Sequence, residues 1–194
     1  MSMKKLIDFD QLIDKDGVFY VKDDLEPYSG QVKGKYSGYM KNGLPSGIWE
    51  EYNNDLLLNK STYDNGNLEG LLINYYSNGS IKETGYVKNN KWTGKYEAYY
   101  DNEILREEKN YIDGKLEGKA LLYFKDGKVK ESKFYKSDKL ENQFLYYYNN
   151  GNLWIKSNYR NGKLNGDRFI YYEDGSLEKK ETYKDGINIS SKMH

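Results

Sequence analysis

Apolar and aromatic residues recur along this chain with a period of 24 residues, and polar turn signals separate them. Each period contains two turn signals of the Asn-Gly or Asp-Gly type, with apolar and polar residues alternating between them. Two turns in about 24 residues leave two strands of roughly six to eight residues each. The pattern therefore predicts an all-β fold, an elongated antiparallel meander of tandem ~24-residue β-hairpin repeats. Aligned on the second glycine of the period, the copies lie at Gly47, Gly70, Gly94, Gly118, Asn142 and Gly166.

The period divides the chain into four segments. Residues 1–17 form an N-terminal segment, in which the apolar spacing over residues 4–14 is compatible with a short amphipathic helix. Residues 18–39 form a degenerate capping start, as expected at the end of a repeat array. The array covers residues 40–188, with six full copies and a partial seventh, and residues 189–194 form a C-terminal tail.

Glycine marks the positions where a left-handed backbone is expected. Asparagine replaces it at Asn90 and Asn142, which favours a positive φ there because asparagine tolerates that conformation unusually well. Leu56 and Glu103 occupy the third-glycine position of two copies, so a different turn is expected at each. The candidate structural turn residues are Gly66, Gly70, Gly79, Gly114, Gly118, Gly127, Gly162, Gly166 and Gly175.

Tyrosine, with 22 residues, supplies much of the apolar surface that this hydrophilic chain can bury. One series recurs once per copy, and it is predicted to brace neighbouring hairpins and to offer a contact surface. The adjacent aromatic series is predicted to face the core, and its members are Tyr76, Tyr100, Phe124, Tyr148 and Tyr172. Trp154 occurs in one copy only and is a further contact candidate, with the filling of a local gap as the alternative. The candidate partner-binding residues are Trp154 and the tyrosine row, which is Tyr75, Tyr99, Tyr123, Tyr147 and Tyr171.

Composition argues against several classes of function. The 30 basic and 30 acidic side chains give a net charge of zero, which disfavours nucleic-acid binding. Without cysteine, and with His194 as its one histidine, the chain cannot build a disulfide, a Ser-His pair or a multi-histidine metal site. No catalytic, cofactor-binding or metal-binding residue is predicted. Glu83, Glu107 and Glu131 stand among lysines, which favours solvated ion pairs over the carboxylate pair of a glycosidase.

The motif Tyr-x-Asp/Asn-Gly-Lys/Asn-Leu-x-Gly, followed by Tyr-Tyr-x-Asn/Asp-Gly, resembles the bacterial variant of the MORN repeat (membrane occupation and recognition nexus). The resemblance extends from about Met40 to Asn188, and residues 19–30 are similar to the capping start of that family. It implies a hairpin-repeat scaffold without catalytic residues. It also implies an antitoxin or immunity-like role, because many members are linked to toxin–antitoxin systems.

Three hypotheses for function follow. The first is a non-enzymatic scaffold that binds a partner protein, such as a toxin encoded nearby, through an extended β-surface. The second is peripheral binding to anionic phospholipid membranes, which the balanced charge disfavours. The third is carbohydrate binding in an aromatic groove. The longest aliphatic run, Leu56 to Leu58, is far shorter than a bilayer span, so a cytoplasmic location is expected, with export through a removed leader left open.

Overall fold

The computed structural model describes residues 6–194 of the chain, and most of them lie in β-strands. These residues contain 21 strands, one 3₁₀ turn and no α-helix. Consecutive strands of the repeats pair antiparallel, each hairpin with the next. The predicted all-β fold of tandem hairpin repeats in an antiparallel meander is therefore confirmed.

The chain divides into two compact units, the first ending at Trp92 and the second beginning at Thr93. The first unit contains β1 (Ile7–Asp8), β2 (Leu12–Lys15), β3 (Val18–Val21), β4 (Gly30–Lys33), β5 (Tyr36–Lys41), β6 (Leu44–Asn53), β7 (Leu56–Asp64), β8 (Asn67–Tyr75) and β9 (Ile81–Lys88). Strands β4 to β9 pair antiparallel in chain order. Strand β1 adds to β4 in parallel, and β2 and β3 form a separate hairpin.

Strand β10 (Lys91–Tyr99) contains the boundary between the units. The second unit continues with β11 (Leu105–Ile112), β12 (Lys115–Leu116), β13 (Gly118–Tyr123), β14 (Val129–Lys136), β15 (Lys139–Leu140), β16 (Asn142–Tyr147), β17 (Leu153–Arg160), β18 (Lys163–Leu164), β19 (Gly166–Tyr171), β20 (Leu177–Lys184) and β21 (Ile187–Met193). The short strands β12, β15 and β18 continue into β13, β16 and β19 after a one-residue interruption. About half of the side chains of this unit are half-buried, and only Tyr96, Ala98, Ser157 and Glu181 among the described residues of the unit are buried, so the sheet has a thin core.

The short helix expected over residues 4–14 is wrong for the part that the structure describes, and residues 4 and 5 lie outside that part. Strand β1 leads into a single 3₁₀ turn at Phe9–Gln11, and β2 follows directly. The Asp8 side chain accepts a hydrogen bond from the Asp10 N–H, while Gln11 accepts one from the Asp8 N–H. These caps close one turn, and a segment this short gains more by packing Phe9 and Leu12 against the core than by forming a helix.

The core of the first unit lies under this N-terminal segment. Its hydrophobic cluster consists of the buried residues Tyr28, Val32, Met40 and Trp49. The Trp49 indole lies flat against β5 because Gly38 has no side chain there. A Cβ at Gly38 would stand 2.5 Å from Cδ2 of Trp49. The Trp49 Nε1–H donates to the carbonyl oxygen of Tyr39 at 3.1 Å, which fixes the ring in place.

A two-residue hairpin turn lies at the first turn signal of each copy, which is Asx-Gly except in copies three and five, where Asn89-Asn90 and Ser137-Asp138 take its place. At Asn65 and Gly66 both φ angles are positive, at 46° and 80°, which is the type I′ geometry that suits the twist of a hairpin. Asn90 and Asn142 adopt φ values of 60° and 59°, so the positive φ expected there is confirmed. Gly114 and Gly162 have the same geometry as Gly66, with φ values of 80° and 79°.

A three-residue turn contains the second turn signal of copy two and of the later copies, as at Asn78-Gly79. The Gly79 N–H donates to the Tyr76 carbonyl oxygen, and Gly127 and Gly175 make the equivalent bonds. The different turn expected at Glu103 is wrong, because Glu103 adopts a left-handed φ of 64° and makes this same hydrogen bond. Copy one does differ. Its turn has only two residues, with Leu56 opening the following strand, which explains the 23-residue spacing at that point.

Three of the predicted turn glycines are not in turns. Gly70 lies inside β8, and Gly118 and Gly166 are the first residues of β13 and β19. Their φ values are positive, at 131°, 82° and 102°. The glycine is needed there because the strand is irregular at that point, with a break in the pairing with the preceding strand.

Candidate functional site

Every member of the tyrosine row is the last strand residue before a three-residue turn. The strand register shifts just before each tyrosine, which then faces an aliphatic residue on the next strand. All five tyrosines are half-buried, so much of each ring packs within the sheet. The cross-strand pairs are Tyr75–Ile81, Tyr99–Leu105, Tyr123–Val129, Tyr147–Leu153 and Tyr171–Leu177.

Tyr123 is the row member with the most perturbed hydroxyl. It donates a hydrogen bond to Oε1 of Glu108 at 2.8 Å, and Glu108 lies 3.7 Å from the ammonium of Lys95. Burial and this hydrogen bond raise the pKa of Tyr123 to about 12. Lys95 also pairs with Glu97 at 2.7 Å. The hydroxyl therefore stays protonated at neutral pH, as in a structural tyrosine and not a general base.

The adjacent aromatic series lies at the turns, so the expectation that it faces the core is only partly met. Tyr172 leaves 46% of its surface exposed, and the other four members are half-buried. The hydroxyls of Tyr100 and Tyr148 donate to the carbonyl oxygens of Tyr123 and Tyr171, at 2.7 and 2.9 Å. These bonds reach into the next copy, so this series ties consecutive repeats together.

Trp154, in β17, packs against two tyrosines. Its ring centroid lies 5.1 Å from that of Tyr146, edge-on, and 5.2 Å from that of Tyr148, stacked at 23°. We call Tyr146, Tyr148 and Trp154 the tryptophan cluster. Trp154 keeps 36% of its surface exposed despite these contacts. Because two rings hold the indole, little conformational entropy would be lost when another protein covers it.

The position of Trp154 is occupied by a different kind of residue in every other copy. In the preceding copy Lys130 takes this position, and its ammonium lies 5.6 Å from the ring centroid of Phe124, the equivalent of Tyr148. A lysine thus fits the place that Trp154 fills, and the repeat architecture does not require an indole. The equivalents of Trp154 are Leu58, Lys82, Arg106, Lys130 and Glu178.

Within the second unit, Trp154 and the tyrosine row do not form one surface. Tyr146 and Tyr147 are consecutive in β16, so their side chains point to opposite faces of the sheet. Trp154 contacts Tyr146 and therefore lies apart from Tyr147. Tyr75 belongs to the first unit, whereas the other members of the row belong to the second.

The acidic residues that suggested a glycosidase are neutralised by lysines or held by amides. Glu107 lies 3.0 Å from Lys109, Glu131 pairs with Lys133, and Glu83 accepts a hydrogen bond from Asn74. Burial is the largest single effect on Lys109 and works against its charge, but the hydrogen bond to Glu107, the negative charge of Glu107 and a smaller contribution from Tyr111 together outweigh it, and the pKa of Lys109 is raised. Within the described part of the chain, no three histidine, aspartate or glutamate residues converge to hold a metal ion.

An exposed apolar row in the first unit was not predicted. Ile48 faces Thr62 across β6 and β7, and Leu71 faces Tyr86 across β8 and β9. Ile48 and Tyr86 expose 58% and 57% of their surfaces. Alignment of the copies carries the signal for this row. The equivalents of Ile48 and Leu71 in later copies are polar, namely Lys95, Lys119, Gln143 and Asp167.

A pocket of about 160 Å³ in the first unit was also not predicted. Aromatic rings form its walls, and Glu51 is among its lining residues. Phe9, from the 3₁₀ turn, packs edge-on against Tyr36 at 4.7 Å between ring centroids. The pocket was not predicted because residues 4–14 were expected to form a helix. Phe9 lines the pocket from the 3₁₀ turn that takes the place of that helix.

A model of the family described as the MORN repeat variant matches residues 68–89, 92–113, 116–137, 140–161 and 164–185. These segments together cover more than half of the chain. The chain belongs to the MORN repeat variant family. The matched MORN repeats begin with copy two, and copy one is not among them. MORN repeats are generally associated with binding to proteins or membranes and not with catalysis.

No curated protein matches this MORN repeat chain. Among solved structures it is similar to one described as the crystal structure of the GtfA/B complex bound to UDP and GlcNAc, with 11% sequence identity and a TM-score of 0.26. The similarity covers 57% of this chain and spans 22% of the other. A likeness at this level carries nothing about function. In residues 6–194, no helix has the length and apolar character needed to cross a bilayer.

Proposed function

We propose that this chain is a non-enzymatic scaffold that binds a partner protein, with the tryptophan cluster at the centre of the contact surface. The observation that carries the proposal is the exposed Trp154, which is held by Tyr146 and Tyr148 at a position where other copies place a charged or aliphatic residue. Tryptophan and tyrosine are enriched among the residues that dominate binding energy in protein interfaces.

The proposal includes an antitoxin or immunity-like role in the cytoplasm of a bacterium, with a toxin encoded nearby as the partner. The mechanism would be steric occlusion, in which the repeat sheet covers the working surface of the toxin. A standard interface needs about 800 Å² per partner, an area that a few adjacent repeats of this size can supply. The exposed row of Ile48, Leu71 and Tyr86 would provide a separate apolar contact in the first unit.

The decisive variant is Trp154→Lys, because lysine occupies the same position in the copies of Lys82 and Lys130. The substitution removes the indole but keeps a residue that the repeat accepts, so the fold should be retained. Affinity capture from the source cell with the wild-type chain should enrich a defined protein, and Trp154→Lys should lose it. The matched control is Lys82→Ala, which alters the same position in another copy and should capture the partner as the wild type does.

Purified partner and chain should then form a complex whose dissociation constant rises at least tenfold with Trp154→Lys, as for loss of a central aromatic contact. Equal capture by Trp154→Lys and the wild type would contradict the proposal. Salt-sensitive co-sedimentation with anionic vesicles, without any protein partner, would favour the membrane hypothesis instead.

A further inference from the structure

The aromatic pocket of the first unit has a filled counterpart in the second unit. In copy three, the Lys109 ammonium lies 4.8 Å from the ring centroid of Tyr96 and 5.8 Å from that of Tyr111. Its charge is neutralised by Glu107 at 3.0 Å. The sheet thus holds an alkylammonium group between two aromatic rings and a carboxylate, the arrangement in which cation–π attraction is effective.

Copy one keeps two aromatic rings at the positions around that lysine, but it has neither the lysine nor the glutamate at the position of Glu107, where Asn59 stands. The equivalents of Tyr96 and Tyr111 are Trp49 and Tyr63, and the equivalent of Lys109 is Ser61. All three copy-one residues line the pocket. The short serine side chain leaves open the space that an alkylammonium chain fills in copy three.

A carboxylate is present at the pocket as well. Glu51 faces Asn59 across β6 and β7, on the face that carries Trp49 and Ser61. The pKa of Tyr63 is raised mainly by burial and, to a smaller extent, by the negative charge of Glu51. The carboxylate is therefore close enough to affect the tyrosine that forms part of the pocket wall. Within residues 6–194, Glu51 forms no ion pair, whereas its neighbour Glu50 is paired with Lys60 at 3.2 Å.

Glu51 is not explained by the repeat architecture. No other copy has an acid at its position, where the equivalents are Asn74, Ala98, Leu122, Tyr146 and Ile170. Lys35 lies near one wall, with its ammonium 5.0 Å from the ring centroid of Tyr36, and Lys60 pairs with Glu50, another lining residue. Among residues 6–194, no ammonium group pairs with Glu51 as Lys109 pairs with Glu107 in copy three.

We propose that the first-unit pocket binds an alkylammonium group supplied from outside the chain, seated between Trp49 and Tyr63 with its charge paired to Glu51. The group is the size of the end of a lysine side chain, as the counterpart at Lys109 indicates. A lysine of another protein and a free amine share this chemistry. The proposal does not depend on the tryptophan cluster, which lies in the second unit.

The test titrates the full chain with n-butylammonium and follows the Trp49 indole N–H resonance by NMR, assigned with a Trp49→Phe variant. We expect a saturable shift with n-butylammonium and none of comparable size with 1-butanol, which lacks the charge. Glu51→Gln should weaken binding about tenfold, because a charge-assisted contact is lost. The control Glu26→Gln removes the same charge from an exposed loop and should change nothing.

Ser61→Lys provides an independent check, because it rebuilds the lysine of copy three inside the pocket. It should abolish n-butylammonium binding, whereas Ser61→Ala should retain it. Because a lysine at the buried Ser61 position could unfold the unit, the indole dispersion of each variant is compared first, and Glu51→Gln decides if Ser61→Lys is unfolded. No saturable shift, equal binding of 1-butanol, or full binding by Glu51→Gln would overturn the proposal.

A second arm identifies the source of the ammonium group. The capped tripeptide Gly-Lys-Gly should bind at least as tightly as n-butylammonium if the natural ligand is a lysine of a protein, and the norleucine peptide should not bind. Binding of n-butylammonium with exclusion of the tripeptide assigns the pocket to a free amine. Failure of both ligands overturns the pocket proposal and leaves the Trp154→Lys result unaffected.

Discussion

Substitution of Gly38 by alanine should destabilise the first unit through a single steric conflict. The added Cβ would lie 2.5, 2.6 and 2.8 Å from Cδ2, Cε2 and Cγ of Trp49, well inside contact distance. The indole cannot withdraw freely, because it is 6% exposed and donates its Nε1–H to Tyr39. Overpacking of a core costs about 1–3 kcal/mol, and a strained or lost hydrogen bond adds about 1 kcal/mol.

We therefore expect Gly38→Ala to lower the unfolding free energy of the first unit by about 2–4 kcal/mol, a large part of the stability of a typical domain. The assay is hydrogen exchange of the β5 and β6 backbone amides as a function of urea concentration, which reports on the first unit whether or not Trp49 is present, whereas a global signal would mix the unfolding of the two units. In a Trp49→Leu background the same substitution should cost less than about 0.5 kcal/mol, since the ring is absent. An equal cost in both backgrounds would refute the steric explanation.

Two further predictions concern the second unit. Glu103→Gly should raise its unfolding free energy by about 0.5–1 kcal/mol in thermal or urea denaturation, because the left-handed φ of 64° is strained for glutamate and free for glycine. Gly127→Glu, the reverse change at the same turn position, should be destabilising. An unchanged midpoint for both variants would count against the turn assignment. The raised pKa of Tyr123 means that the folded chain retains a proton which the unfolded chain loses near pH 10, so this stabilisation is present below pH 10 and declines as the pH rises towards about 12. Glu108→Gln should make that decline smaller in urea denaturation between pH 9 and 12, whereas an identical pH dependence would contradict the assigned hydrogen bond.

Much of the repeat structure could be predicted because it is encoded locally. The Asn65-Gly66 signal fixes a two-residue turn by backbone sterics alone, and the asparagine substitutions at Asn90 and Asn142 identify positive φ without any tertiary information. The left-handed conformation of Glu103 is an exception, because its local sequence does not predict it. The flanking hairpin holds it in a left-handed conformation, so the pairing of two strands overrides the preference of one residue.

The features that escaped prediction depend on contacts distant in the chain. The spacing over residues 4–14 suits a helix, but Phe9 instead packs against Phe19 and Tyr36 to form one wall of the pocket. No local rule shows that Trp154 lies on the face of Tyr146 and not on that of Tyr147, because Trp154 is the unpaired residue at the register shift between these two tyrosines. Departures from the repeat carried the useful signal, since Glu51 and Trp154 each differ from their equivalents in every other copy.

The central claim is that this MORN repeat chain binds a partner protein through the tryptophan cluster. Its most direct test replaces Trp154 with the photo-crosslinking residue p-benzoylphenylalanine in the source cell and compares it with the same replacement at Lys82, the equivalent position in copy two. The account predicts one abundant covalent adduct with a defined protein from position 154 and none from position 82. Absence of any adduct at position 154, or the same products from both positions, would contradict it.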